Sequence, residues 1–243
     1  SHAFISDSKA IESNLKKHIK EKNWDLCKSN ILTMGVNSNK FKNQDEDLSN
    51  RLSNLNDKII ISFIGRFVEK KGVENLNKIF YRILKKYPGC HLLICGQGPL
   101  VSDYKYLINN YKIGDSVSIL NFFNDDKKLT SVYKFTDIII VPSIQTEKGE
   151  TEGVPVSLLE SLHNGKLVVA SVQSNAKDVI ENDKNGLLFD YLKKNDFENV
   201  FRKAIELQVE PKLKKIKEEA LLKGSIFNWD KISEDYFKIL YRN

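Results

Sequence analysis

The sequence predicts an α/β protein: a doubly wound parallel sheet of about six strands with helices on both faces. Three observations carry this expectation. From residue 58 onward the strands read as unbroken apolar runs, such as Ile59-Ile60-Ile61-Ser62-Phe63-Ile64 and Ile138-Ile139-Ile140-Val141. Such runs suit strands buried on both faces. They alternate with helical stretches, the order that builds a parallel sheet. The unusual loops all follow strands: Gly65-Arg66, Gly96-Gln97-Gly98, Asn121-Phe122-Phe123, Pro142 to Val154, and Ser174. In doubly wound sheets that edge, beyond the carboxyl ends of the strands, is where ligands bind.

Each element follows from local signals. Phe4-Ile5-Ser6 reads as a strand end, and Asp7 or Ser8 caps a helix running to about Lys22. Ser29 to Met34 reads as a second strand, closed by Gly35-Val36-Asn37. Residues 38–57 are polar and Asn-rich and read as a linker with one helix before Asn56. After the strand at Ile59 comes a helix from Val73 to Tyr87, stopped by Pro88-Gly89. Strands follow at His91 to Cys95, Val117 to Leu120, Ile138 to Val141, Leu167 to Ser171 and Leu187 to Phe189. The intervening helices end near Lys112, Phe135 and Gly165, with a short one at Lys177 to Glu181. Three helices close the chain, at residues 195–208, 212–223 and 229–241.

Composition narrows the function classes. The 243 residues suffice for one large or two small domains with a real core. No apolar run is long enough to span a bilayer, and no signal peptide is visible. The net charge is +6, from 38 Lys and Arg against 32 Asp and Glu. It favours an anionic partner, and the scattered basic pairs also suit solvated helix faces. Three cysteines, Cys27, Cys90 and Cys95, make no disulfide framework and fit a reducing cytosol. Cys90 and Cys95 stand at opposite ends of one strand at odd spacing, so they face opposite sides and do not form a metal site through His91.

The chemistry concentrates in Glu152-Gly153-Val154-Pro155-Val156-Ser157-Leu158-Leu159-Glu160. Pro155 suits the first helical position. Leu158, Leu159 and Leu162 repeat at helical spacing, and Gly165 stops the helix. A helix start offers free N–H groups and a positive dipole end, which suit phosphate. Two carboxylates beside phosphate make sense only if they accept hydrogen bonds from hydroxyls flanking it. A sugar hydroxyl on one side and a ribose hydroxyl on the other would meet that need, which suggests a nucleotide sugar. By itself the pair also fits an ordinary helix with a solvated Glu at each end. Gly65-Arg66-Phe67-Val68-Glu69-Lys70-Lys71-Gly72 adds a guanidinium and an ammonium at the same sheet edge, able to neutralise a diphosphate without metal. Alone it also reads as a basic surface loop. Gly96-Gln97-Gly98 lacks the third Gly of a dinucleotide fingerprint and is explained by a tight turn. Phe122-Phe123 suits either a base pocket or core, and Asp125 reads as a helix cap.

Together these motifs resemble the donor-binding half of glycosyltransferase family 4, enzymes of the two-domain GT-B fold with Rossmann-like halves. Gly65-Arg66 to Lys71-Gly72 is similar to the family's Gly-Arg…Lys-Gly loop. Val141-Pro142-Ser143 resembles its strand ending in Pro-Ser, and Glu152 to Glu160 its two-glutamate motif. Gly165 to Ala170 and Asn185-Gly186-Leu187-Leu188 resemble its later segments, with Leu167 in place of Pro. The loop from Gln145 to Thr151 is similar to members that build bacterial surface polysaccharides. The resemblance runs from about residue 30 to the end.

It implies transfer of a sugar from a nucleotide-diphosphate sugar with retention of configuration and without metal or other cofactor. Arg66 and Lys71 would bind the diphosphate and stabilise the leaving group. Glu152 would hold donor-sugar hydroxyls, making these three the implied catalytic set. Glu160 would bind ribose, and the backbone around Gly153, Val154, Pro155 and Val156 would approach the phosphates, with the N–H groups of its non-proline residues as donors. Gly65 and Phe122 complete the implied donor site. Two departures stand out: Ser174-Asn175-Ala176-Lys177-Asp178 replaces a Gly-Gly…Glu segment, and Asn121 a frequent Gly.

The expected organisation is a remnant of an acceptor-binding domain and linker over residues 1–40, a donor domain over 41–226, and a helix over 227–243 that crosses back. Trp229, Ile232 and Phe237 are expected as exposed apolar surface on that helix. The start Ser1-His2-Ala3 lacks an initiator Met. The chain is expected to be a fragment of a longer enzyme, inactive alone, whose other domain takes an acceptor glycan or lipid-linked glycan. The expected setting is the cytoplasm, at the inner face of the membrane by peripheral association, with no nucleic acid partner. Two other readings stay open: a non-catalytic nucleotide-sugar-binding module working with a partner chain, and a dinucleotide-dependent dehydrogenase or epimerase.

Overall fold

The computed structural model describes residues 2–19, 21–24, 27–121 and 125–241. The chain opens with β1 (His2–Ser6), α1 (Lys9–His18), α2 (Glu21–Trp24) and β2 (Cys27–Ile31). β1 and β2 pair in parallel as a separate two-stranded sheet. The second strand starts and ends earlier than the expected 29–34. β1 ends at Ser6, opposite Ile31, so the ladder closes with the bond from Leu32 N–H to the Ser6 carbonyl (2.8 Å). Ser8 caps α1 by accepting from the Ile11 N–H. The helix stops at an extended Ile19 rather than at Lys22, and the break turns Trp24 back to stack on Phe4.

Residues 38–57 are more ordered than a linker. A 3-10 turn (Ser38–Phe41) leads to α3 (Glu46–Ser53), whose cap Asp45 accepts from Leu48 N–H at 2.8 Å. Leu48 and Leu52 are buried, and the Phe41 ring meets Tyr133 edge-on. Apolar positions four apart inside a polar run were enough to dock this helix.

The main sheet alternates strands and helices through β3 (Ile59–Ile64), α4 (Val73–Lys86), β4 (Cys90–Cys95), α5 (Val101–Tyr111), β5 (Val117–Leu120), α6 (Asp126–Phe135) and β6 (Ile138–Val141). It continues through α7 (Val156–His163), β7 (Leu167–Ser171), β8 (Leu187–Phe189), α8 (Asp196–Glu206), α9 (Lys212–Ser225) and α10 (Trp229–Tyr241). The six strands are all parallel, in the order β5-β4-β3-β6-β7-β8. Their side chains alternate between two cores. Ile61, Phe63, Leu92 and Ile94 pack on one face with Leu76, Phe80 and Phe201. Ile60, Ile64, Leu93 and Ile139 pack on the other with Leu158 and Leu162. Cys90 and Cys95 fall in different cores, as their odd spacing requires.

β3 and β6 are neighbours, but the chain leaves them toward opposite edges of the sheet. The loops that follow them diverge, and a crevice opens at the carboxyl end of the sheet. The expected helix at 177–181 is a 3-10 turn, Ala176–Asp178. At the chain end Trp229 and Phe237 are exposed (37% and 63%), but Ile232 is buried at 7%. The burial of Ile232 has a tertiary cause. Trp229 N–H bonds the Val36 carbonyl at 3.2 Å, and Val36 N–H bonds the Phe227 carbonyl, so the start of α10 is strapped down.

Candidate functional site

The loop after β3 sets the first wall of the crevice. After Gly65 and Arg66 it makes a 3-10 turn (Glu69–Lys71) and reverses at Gly72, whose φ is +65°. A side chain there would be strained, and its Cβ would collide with the Pro142 carbonyl of the loop after β6. The Lys70 carbonyl accepts from Ile144 N–H at 2.9 Å. The two loops are thus stitched together backbone to backbone, and Lys71 is aimed across the seam.

Its ammonium lies 2.6 Å from the Glu152 carboxylate. Both side chains are largely buried, at 16% and 10% exposure. The second Glu152 oxygen accepts from the Ser143 hydroxyl at 2.6 Å. The Glu152 backbone carbonyl accepts from Asn175 Nδ2, so the segment that departs from the family pattern holds this glutamate in place. Asn175 does so from a left-handed conformation, φ +56°.

Pro155 sits one position earlier than expected: with φ −62° and ψ 133° it caps α7, and Val156 is the first helical residue. The extended ψ lets the Pro155 carbonyl accept from Leu158 and Leu159 N–H groups. The N–H groups of Val156 and Ser157, in the first turn, have no intrahelical acceptor. Glu160 lies one turn deeper, 6% exposed. Its carboxylate accepts from Lys40 Nζ at 2.8 Å and from the Tyr133 hydroxyl at 2.9 Å. Lys40 also stands 3.6 Å from Asp126. Burial, and next the Glu160 charge, hold the Tyr133 phenol well above its usual range, so it stays a donor. Burial likewise pushes the nearby Cys95 thiol up to about 12.

Nine of the ten expected donor-site residues line one cavity of about 670 Å³: Gly65, Arg66, Lys71, Glu152, Gly153, Val154, Pro155, Val156 and Glu160. The tenth, Phe122, lies outside the described residues. Arg66 is exposed and makes no ion pair among the described residues, so its guanidinium is open to an anion. Sequence reasoning missed Asp7, Lys40 and Tyr133. Lys40 sits in the polar stretch taken for linker, and Tyr133 in a helix taken for sheet cover. Only the packing of α6 and residues 38–41 against α7 brings them to Glu160. Among the described residues no helix is long and apolar enough to cross a membrane.

The family model described as "Glycosyl transferases group 1" matches residues 44–222. The chain is 30% identical over 162 residues to the amylovoran biosynthesis glycosyltransferase AmsK of Erwinia amylovora, covering 66% of this chain and 38% of that protein. It is 31% identical over 216 residues to an uncharacterized glycosyltransferase of Methanocaldococcus jannaschii, covering 87% and 52%. The match thus spans about half or less of these relatives' lengths. Among solved structures, Anabaena HepE in complex with UDP-glucose superposes with a TM-score of 0.80 at 17% identity, over 98% of this chain and 63% of that one. At that identity the likeness concerns the fold, which is the Rossmann-like half of a GT-B architecture. With most of its length matched by the family model, the chain belongs to the glycosyl transferases group 1 family.

Proposed function

We propose that this chain is the donor-binding half of a retaining, metal-independent family 4 glycosyltransferase acting in bacterial surface polysaccharide or glycan synthesis. The observation that carries the proposal is the single cavity joining Arg66, the Lys71–Glu152 pair, the start of α7 and Glu160. In this reading the diphosphate lies against the Arg66 fork, the Lys71 ammonium and the free N–H groups of α7. Lys71 has three donors and spends one on Glu152, so it can serve a phosphate oxygen as well. Glu160 keeps lone pairs beyond those used by Lys40 and Tyr133, and it accepts from ribose hydroxyls. Glu152 accepts from hydroxyls of the transferred sugar. As the glycosidic bond breaks, negative charge grows on the departing diphosphate, where these fixed cations and dipoles stabilise it without reorganising.

The names of the relatives support the substrate class: AmsK is an amylovoran biosynthesis enzyme, and HepE was solved with UDP-glucose. The acceptor glycan would be taken by a separate domain, of which residues 1–40 would be the closing part, with residues 41–226 the donor domain and 227–243 the return helix. The complete enzyme would work in the cytoplasm against the inner face of the membrane.

A thermal-shift screen with UDP, GDP, ADP and their sugars tests the reading. A nucleotide at 100 times its Kd adds about 2.7 kcal/mol, or about 5–11 °C for a chain of this size. That shift should survive EDTA and fall by about half or more in Arg66→Ala and Glu160→Ala at the same concentration. A larger shift with NAD than with any nucleoside diphosphate would overturn the donor-site reading.

A further inference from the structure

Asp7 follows directly on β1 and reaches the donor cavity from outside the sheet that forms its floor. Its corner is held in place. Ser8 is fully buried and caps α1, and Lys9 N–H bonds the Asp178 carboxylate at 3.1 Å, past the end of β7. The Asp7 carboxylate rests on Gly153, where any Cβ would collide with both of its oxygens. One of those oxygens, Oδ1, is shielded from solvent and accepts no hydrogen bond among the described residues. No ion pair of Asp7 occurs among the described residues.

A shielded carboxylate oxygen without a donor is costly, and proteins rarely leave one without a partner to complete it. Asp7 lies against Gly153, the residue that links Glu152 to the segment entering α7, and shares the cavity wall with both. Phosphate there would be repelled by its charge, so the fitting partner is a hydroxyl that donates. We propose that Asp7 is a specificity-determining residue that accepts a hydrogen bond from a hydroxyl of the donor sugar. The proposal rests on the donor-site reading given above.

The test is calorimetric and compares each nucleotide sugar with its parent: UDP-glucose, UDP-galactose and UDP-N-acetylglucosamine with UDP, GDP-mannose with GDP, ADP-glucose with ADP. The readout is the ratio of the two affinities, which a general loss of packing would not move. For the pair with the largest wild-type ratio, Asp7→Ala should lower that ratio about tenfold or more, as expected for a hydrogen bond to a charged group. Asp7→Asn, which keeps an acceptor oxygen without the charge, should lower it less. An unchanged ratio in Asp7→Ala overturns the proposal, as does an equal loss in both variants, which would assign the effect to charge alone. A wild type that binds nucleoside diphosphates but gains nothing from any sugar also overturns it while leaving the diphosphate site standing. A wild type that binds none of these ligands removes the donor-site reading itself.

Discussion

The sharpest consequence of the site geometry concerns its two cations, which should separate stability from affinity. Lys71→Ala removes the ammonium 2.6 Å from Glu152 and leaves a carboxylate only 10% exposed, supported by the Ser143 hydroxyl. Breaking a fully buried pair costs about 3–5 kcal/mol, and an exposed one about 0–1 kcal/mol. With slight exposure and one hydrogen bond retained, the expected loss is about 2–3 kcal/mol. At about 2–4 °C per kcal/mol for a chain of this size, Tm should fall by about 4–12 °C. Arg66 is exposed with no ion-pair partner among the described residues, so Arg66→Ala should change stability by less than about 0.5 kcal/mol. Both variants should weaken nucleoside diphosphate binding by about tenfold or more, because each removes one charge-assisted contact. The double variant Lys71→Ala/Glu152→Ala also removes the stranded carboxylate. It should recover stability, with a coupling energy of about 1.5 kcal/mol or more. Urea unfolding gives the stabilities and calorimetry the affinities. If Lys71→Ala is as stable as Arg66→Ala and the cycle is additive within about 0.5 kcal/mol, the Lys71–Glu152 pair does not have the energetic role assigned to it.

Gly72→Ala combines a left-handed φ of +65° with a collision against the Pro142 carbonyl. It should cost at least about 2 kcal/mol and weaken diphosphate binding by displacing Lys71, as urea unfolding and calorimetry would show. Lys166 gives a pH signature. Burial, with the Lys217 charge second, lowers its ammonium to about 8 from an ordinary 10.5, and its Nζ donates to the Lys134 carbonyl. The folded state therefore binds fewer protons than the unfolded one between those values, and stability should rise with pH across that window. Below about pH 8 the cost of the buried charge is fully present. Lys166→Met should lack this rise, so wild-type stability minus variant stability should increase from pH 7 to 10. A difference that stays flat with pH would show that the ammonium is solvated.

The chain shows which parts of such a site are local. The β3–loop and loop–α7 motifs were legible because each is continuous in sequence: a strand, a glycine-bracketed turn, a helix start. Their residues could be singled out together as candidates for phosphate binding without knowledge of their tertiary partners, and β5 and β6 came out at their expected bounds because short apolar runs between turn signals leave little latitude. The misreadings fall where pairing or docking decides. The end of β2 depends on where β1 stops, and the burial of Ile232 depends on the strap between Val36 and the start of α10.

Apolar runs alternating with helical periods determined the doubly wound sheet, and with it the edge where a ligand belongs, because burial on both faces demands such runs at every strand. Tertiary structure alone decided how the two glutamates differ. Glu152 is paired with Lys71 and Ser143, while Glu160 is paired with Lys40 and Tyr133 from elements 120 and 27 residues away. It also set Asp7 on Gly153, across 146 residues of chain (153 − 7). Contacts of that separation arise only when the sheet has brought distant loops to one crevice, so no local pattern in the sequence records them.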